Sequence, residues 1–319
     1  MSVSMIKPPA LYPGDTIGVV APAAAIERDY LDRGVKALTA MGYRVKVSPH
    51  ALDRDGVLAG ADSVRAAELM AFFRNPEIHA VFGARGGYGC GRLLPLLDFS
   101  ALRLTPKVFL GFSDATFILN AMVELGGLVC FHGPMVAMDF SKGLSARASE
   151  HLKRLLNGET CGFELKARET LHPGVTEGEL IGGCLSVIVA MLATPFCPKF
   201  DRRILFLEDT GEKAYRIDRM LVQLRQAGIL HRIAGLVFGA IRPSSSSDGE
   251  RELIRDFVIG QTRDLPCPVL FGIEAGHGTE NFALPLGVRV RLDGARRKLI
   301  FLDSAVTLTN TRRNEVKPS

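Results

Sequence analysis

A serine hydroxyl, a carboxylate and an imidazole are the three groups an acyl-transfer site needs, and each stands at the end of an apolar run in this chain. The run KVFLGF over 107–112 reads as a buried strand and leads straight into Ser113, Asp114 and Ala115. Residues 115–125 continue as an apolar-rich helix, so Ser113 falls in a strand-to-helix turn, where a nucleophile can be held beside free backbone N–H groups. The hydrolase elbow G-x-S-x-G is present only as G-F-S-D-A, with Ala115 at the second glycine position. A plain helix N-cap is the competing reading of that serine. The run RILFL over 203–207 delivers Glu208, and VLFGI over 269–273 leads through Glu274 and Ala275 into Gly276, His277 and Gly278. A serine hydroxyl is a weak nucleophile near neutral pH: it needs a neutral imidazole to take its proton, and that imidazole needs a carboxylate to fix its tautomer. Ser113, Glu208 and His277 supply one of each.

The other histidines have blander roles. His79 begins a strand-like run, His151 and His231 sit in helix or helix-end contexts, and His50 and His172 neighbour prolines in turns. His132, in FHGP, is the best rival for the base because it too ends an apolar run. The glycines flanking His277 permit close backbone approach and favour His277 over it.

The segment ARGGYGCG over 84–91 follows a strand but has neither the lysine of a phosphate-binding loop nor G-x-G-x-x-G spacing. It reads instead as part of an oxyanion hole, with the main-chain N–H of Gly86 or Gly87 joining that of Asp114. Tight turns demanding glycine are the alternative.

These groups require a framework of strands with ends at a common edge. In the first half, strands at 15–22, 43–47, 79–84 and 107–112 alternate with helices at 29–41, 64–74 and 92–97. That rhythm predicts an α/β fold with a parallel sheet whose ligand sites lie beyond the strand C-termini. A polar, turn-rich stretch around 157–179 reads as a linker. Two domains are expected, 1–160 carrying the nucleophile and 175–308 carrying the acid and base, with 161–174 between them. The second half reads as mixed α+β: helices at 185–192 and 215–227, a strand at 236–239, a serine loop at 244–247, and a closing hairpin of VRVRL and KLIFL around Asp293 and Gly294. The tail 311–319 reads as disordered.

Composition sets the frame: 319 residues, 47% hydrophobic and 23% charged, are ordinary for a globular protein, and the net charge of +5 is thinly spread. The one compact basic cluster, Arg296, Arg297 and Lys298, falls at the expected hairpin turn, so a nucleic-acid partner has no support. The six cysteines show no C-x-x-C pairing and read as buried or semi-buried thiols of a reducing compartment. Neither a signal-peptide core nor a run of transmembrane length is visible, so cytoplasm is the expected location and no membrane partner is expected.

Taken in order, LYPGDTIGVVAPA, ARGGYG, GFSDAT, FHGP, IGGCLS, ILFLEDTGEKAYRIDRML, GHG and LPLGVRVRLD resemble the LD-carboxypeptidases, the muramoyltetrapeptide carboxypeptidases of serine peptidase family S66. The resemblance covers most of the chain. It implies a flavodoxin-like or amidotransferase-like N-terminal domain, a smaller mixed C-terminal domain and a homodimer. It also implies Ser113 as nucleophile, Glu208 as acid and His277 as base, in agreement with the residues read alone. The implied substrate is a murein tetrapeptide, from which the terminal D-alanine is released during cell-wall recycling. Cys184 departs from the family, which commonly has asparagine there. A carboxypeptidase must also hold a free α-carboxylate, and Arg85 and Arg216 are the candidates. Each has an ordinary alternative: for Arg216 a pair with Glu212, one helical turn earlier, and for Arg85 anchoring of the glycine loop. No cofactor is implied, and no H-E-x-x-H ligand set suggests a metal. Two other functions fit less well: a microcin C immunity-like hydrolase of acyl-sulfamoyl-adenylates, whose adenine stacks on a tryptophan this chain lacks, and a non-catalytic module binding a small anion.

Overall fold

The computed structural model describes residues 5–159, 161–245 and 248–308. The chain enters through β1 (Thr16–Val20), α1 (Arg28–Ala40), β2 (Arg44–Val47), α2 (Asp62–Arg74) and β3 (Ala80–Gly83). It continues through α3 (Phe99–Leu104), β4 (Val108–Gly111), α4 (Thr116–Glu124), β5 (Cys130–His132) and α5 (Ala146–Leu156). Strands β1, β3 and β4 carry almost wholly buried, apolar sequence, as strands covered by helices on both faces must. They pair in parallel in the order β2-β1-β3-β4-β5, the flavodoxin-type order, whose reversal between β1 and β3 opens a crevice beyond the strand C-termini. The expected helix at 92–97 is two short 3₁₀ turns, Cys90–Arg92 and Leu94–Leu96, because Pro95 interrupts a continuous α-helix.

The second half begins with β6 (Glu164–Lys166), β7 (Glu169–His172) and β8 (Val175–Cys184), followed by α6 (Leu185–Met191), β9 (Ile204–Glu212) and α7 (Ala214–Gln226). Then come β10 (Gly235–Pro243), α8 (Asp248–Thr262), β11 (Val269–Phe271), β12 (Leu284–Leu286), β13 (Arg289–Asp293) and β14 (Lys298–Phe301). Eight of these strands form one mixed sheet in the order β6-β14-β13-β8-β9-β10-β11-β7. Residues 161–174 are therefore not a bare linker: β6 and β7 are the two outermost strands of this sheet. Edge strands are short and charged so as not to pair with other chains, and that composition is what mimics a linker. The closing hairpin forms as expected from β13 and β14.

One strand crosses over. β12, although late in the chain, pairs antiparallel with β5 at the edge of the first sheet, where Pro285 is tolerated. Residues 246–247 of the serine loop and the tail 311–319 lie outside the described residues. Among the described residues no helix is long and apolar enough to cross a membrane. Four of the six cysteines are buried and Cys197 is half-buried, but Cys161 is exposed, because it follows α5 near the sheet edge.

Candidate active site

Ser113 leaves β4 with φ 58°, one of four described non-glycine residues in the left-handed region. For a residue with a Cβ this conformation costs on the order of 1–3 kcal/mol. Its side chain makes no capping hydrogen bond, and the cap positions of the following 3₁₀ turn and of α4 are Phe112 and Ala115. The serine is thus held in a strained turn without serving as an N-cap. The incomplete elbow also has a steric account. A Cβ on Gly111 would lie 3.0 Å from the Ala115 methyl, so with alanine at the second position the first must stay bare.

The glycine loop after β3 lies against this turn. A Cβ on Gly86 would sit 2.8 Å from Ser113 Cβ, 2.9 Å from its Oγ and 3.3 Å from the Asp114 backbone nitrogen. Only glycine lets main chain come this close to the hydroxyl, and Gly87 adopts φ 106° beside it. The buried Asp114 carboxylate accepts a 2.7 Å hydrogen bond from Cys90 N, tying the far end of the glycine loop to the serine turn. Burial raises the Asp114 pKa, and the Cys90 bonds oppose this only in part.

Glu208 comes from β9 at a fault in the sheet. Leu207 pairs with Phe238 and Asp209 with Ile241, so Glu208 alone faces both Gly239 and Ala240 of β10. This bulge lets the His277 loop dock, since Ala240 N donates to Ala275 O (3.0 Å) and a Cβ on Gly239 would strike that same oxygen. The loop then folds over the carboxylate. Oε2 of the fully buried Glu208 accepts from the backbone N (3.0 Å) and from Nδ1 (2.7 Å) of His277. Gly276, at φ 87°, has room for no side chain, because a Cβ would come within 2.6 Å of three Glu208 atoms. Burial alone would push the Glu208 pKa up, but His132 and His277 outweigh it and bring it to about 2. Burial likewise lowers the His277 pKa, and Glu208, followed by Asp209 and Asp139, overrides it so that the net shift is upward.

Ser113 and His277 line one cleft of about 380 Å³ between the two sheets, together with Arg85, Gly86 and Gly87. Phe112 packs its ring on that of His277 with centroids 4.7 Å apart. The two halves are stitched beneath the cleft. Asn120 of α4 donates to Gly182 O (3.0 Å) and accepts from Gly182 N (3.2 Å), while Thr116 Oγ1 accepts from Cys184 N (3.1 Å). Cys184 pairs directly across from Glu208, and its Sγ lies 3.6 Å from Asp209 Oδ2. Asp209, on the cleft wall, accepts from Ser186 N and Thr210 N, and burial raises its pKa to about 6.

Of the two arginine candidates, Arg85 lines the cleft and donates to Ala25 O at 3.1 Å. Arg216 is exposed, pairs with Glu212 at 3.3 Å as its helical spacing allows, and is not among the residues lining the cleft. His132 does not line it either; it lies fully buried below Glu208. Asn120, Thr116 and Phe112 were not singled out by sequence reasoning, because each acts through a partner more than 20 residues away.

The class follows from the matches to known families. Residues 17–133 match the LD-carboxypeptidase N-terminal domain and residues 177–292 the LD-carboxypeptidase C-terminal domain of peptidase S66, which makes this protein a carboxypeptidase. The chain belongs to the LD-carboxypeptidase family. It is 36% identical over 302 residues to a probable murein peptide carboxypeptidase of Bacillus subtilis, covering 92% of this chain and 93% of that one. It is 32% identical over 294 residues to the murein tetrapeptide carboxypeptidase of Pseudomonas aeruginosa, covering 88% and 94%. The crystal structure of muramoyltetrapeptide carboxypeptidase from Oxalobacter formigenes superposes with a TM-score of 0.80 at 32% identity, covering 89% of this chain and 97% of that one.

Proposed function

We propose that this carboxypeptidase hydrolyses the L,D-peptide bond that releases terminal D-alanine from murein tetrapeptides, with Ser113 as nucleophile, His277 as base and Glu208 as its orienting acid. The observation that carries the reading is the His277–Glu208 pair, with Oε2 taking both His277 donors and the His277 side chain lining the same cleft as a strained serine with no capping partner. Fixing the proton on Nδ1 leaves Nε2 free to accept the Ser113 proton as Oγ attacks the scissile carbonyl. The tetrahedral oxygen is met by main-chain N–H groups of Gly86 or Gly87 and of Asp114. His277 then gives its proton to the departing D-alanine amine, and water resolves the acyl-serine by the same route in reverse. Arg85 is the cation available to the substrate's terminal carboxylate. A cytoplasmic homodimer acting in cell-wall recycling completes the proposal.

An adenylate hydrolase remains the weaker reading, since the chain contains no tryptophan to stack a purine. Purified protein given L-Ala-γ-D-Glu-meso-Dap-D-Ala should release free D-alanine, and a chelator should leave the rate unchanged. Binding of the peptide without turnover would favour a non-catalytic module, and a chelator-sensitive rate restored by zinc would contradict the serine mechanism.

The acid limb of kcat/KM should have its midpoint above the ordinary imidazole value of about 6.5. The sign follows from the pair. A raised His277 pKa keeps the imidazolium to higher pH, so the neutral base appears only as pH rises through the raised value. A pH–rate profile measures this; a midpoint below that of free imidazole would show that burial, not Glu208, governs His277.

A further inference from the structure

Glu208 is satisfied on only one side. Both His277 donors go to Oε2, while Oε1 is buried with no hydrogen-bond partner. Nε2 of His132 lies 3.7 Å from it. His132 is orphaned in the same way: neither ring nitrogen has a partner, and the residue is fully buried. Its ring is held edge-on between Phe112 (5.7 Å) and Phe206 (5.1 Å), which fix where Nε2 points. Two unsatisfied polar atoms facing each other in a dry interior are each costly alone and are relieved together by one hydrogen bond.

We infer that His132 is a positioning residue for the catalytic acid, donating Nε2–H to Glu208 Oε1 and so clamping the carboxylate from the side opposite His277. The inference rests on the triad reading above. It also gives the contact a location that matters, because His132 belongs to β5 of the first sheet and Glu208 to β9 of the second. The clamp therefore spans the same divide that the substrate cleft does, and closing it needs a relative shift of less than 1 Å. A carboxylate pinned at both oxygens cannot rotate away from Nδ1 of His277, and its negative charge is shared between two imidazoles. Without the His132 donor the charge rests on His277 alone, the imidazolium is favoured, and the neutral base appears only at higher pH. The other ionisable groups around the pair are Asp209 beside Glu208 on β9, Cys184 at the end of β8 and Asp139 after β5, and all three stay unchanged in the variants below.

His132→Phe keeps a ring between Phe112 and Phe206 but removes the donor. It should lower kcat by roughly 10- to 100-fold, the range expected for losing a hydrogen bond to a charged group, with KM little changed and the acid limb moved to higher pH. His132→Gln, whose amide nitrogen reaches the place of Nε2, should recover most of kcat and the original limb, whereas His132→Asn, whose amide lies at the place of Nδ1, should not. Should the Phe variant fail to fold, the Gln and Asn variants still decide the matter: equal activities and equal limbs would overturn the clamp. Long-range ¹H–¹⁵N correlation spectra of the full chain give an answer that does not depend on turnover. They should show His132 as the Nε2–H tautomer, with a shift that moves in Glu208→Gln. An Nδ1–H tautomer, or a His132 signal indifferent to Glu208→Gln, would overturn the inference even in an active enzyme, while an active Ser113→Ala protein would overturn the triad and leave these spectra untouched.

Discussion

Ser113→Ala is expected to reduce kcat/KM for D-alanine release by about four to six orders of magnitude while leaving the fold intact. The size follows from role as the proposed nucleophile, and the thiol in the cleft is no substitute, since burial and then Glu208 and Asp209 drive the Cys184 pKa well above the ordinary range. The unchanged fold follows from the environment of the side chain. Ser113 makes no capping hydrogen bond, and alanine keeps the Cβ that packs on Gly86, so neither the turn at φ 58° nor its strain is altered. Steady-state kinetics with a thermal melt on the same preparation checks both halves. Near-wild-type turnover would exclude Ser113 as nucleophile, and an inactive protein that melts early would show the serine to be structural.

Glu208→Gln should follow, with a loss of about 10³- to 10⁴-fold in kcat, the scale seen when the orienting acid of a triad becomes an amide. Oε2 accepts two N–H bonds from His277, and an amide nitrogen turned to that side would set donor against donor. An amide oxygen there can still accept, but it lacks the charge that raises the His277 pKa and steadies the imidazolium. Asp209→Asn makes the informative comparison. Its carboxylate accepts from the main chain of Ser186 and Thr210, contacts that an amide oxygen can partly keep, and it acts on His277 only through space. The loss at 209 should be much smaller. If the ranking were reversed, Asp209 would be the orienting acid.

The proposed reacting groups were legible because each sits where an apolar strand stops and a residue type unsuited to a core begins. Ser113 after KVFLGF, Glu208 after RILFL and His277 between two glycines need only local sequence to be noticed. What joins them was not legible. Asn120 bonds to Gly182 and Thr116 to Cys184 across more than 60 residues, and nothing in the pattern of either segment signals the other. The choice between Arg85 and Arg216 was likewise tertiary, since both lie near site motifs and only the folded chain puts Arg85 on the cleft wall and leaves Arg216 off it, paired with Glu212 at the rim. The flavodoxin-type order was foreshadowed by βαβ alternation, yet strands β6 and β7 passed for linker because polar edge strands lack the apolar signature of central ones. β12 could not be assigned to the first sheet from sequence, because three residues, LPL, carry no information on which edge they will complete.

The central claim is specificity for an L,D bond next to a free carboxylate, and the most direct measurement compares kcat/KM for the tetrapeptide, its terminal L-alanine epimer and the pentapeptide ending in a second D-alanine. Inverting the terminal centre either drives the methyl into the subsite wall or leaves the carboxylate without its cationic or N–H partner. A lost charge-assisted hydrogen bond alone costs about 1.5–3 kcal/mol, so the epimer should react at least about tenfold more slowly. The pentapeptide should also be a poor substrate, because its free carboxylate lies one residue too far out. Equal values for all three peptides would contradict the assignment, even with Ser113 proven catalytic.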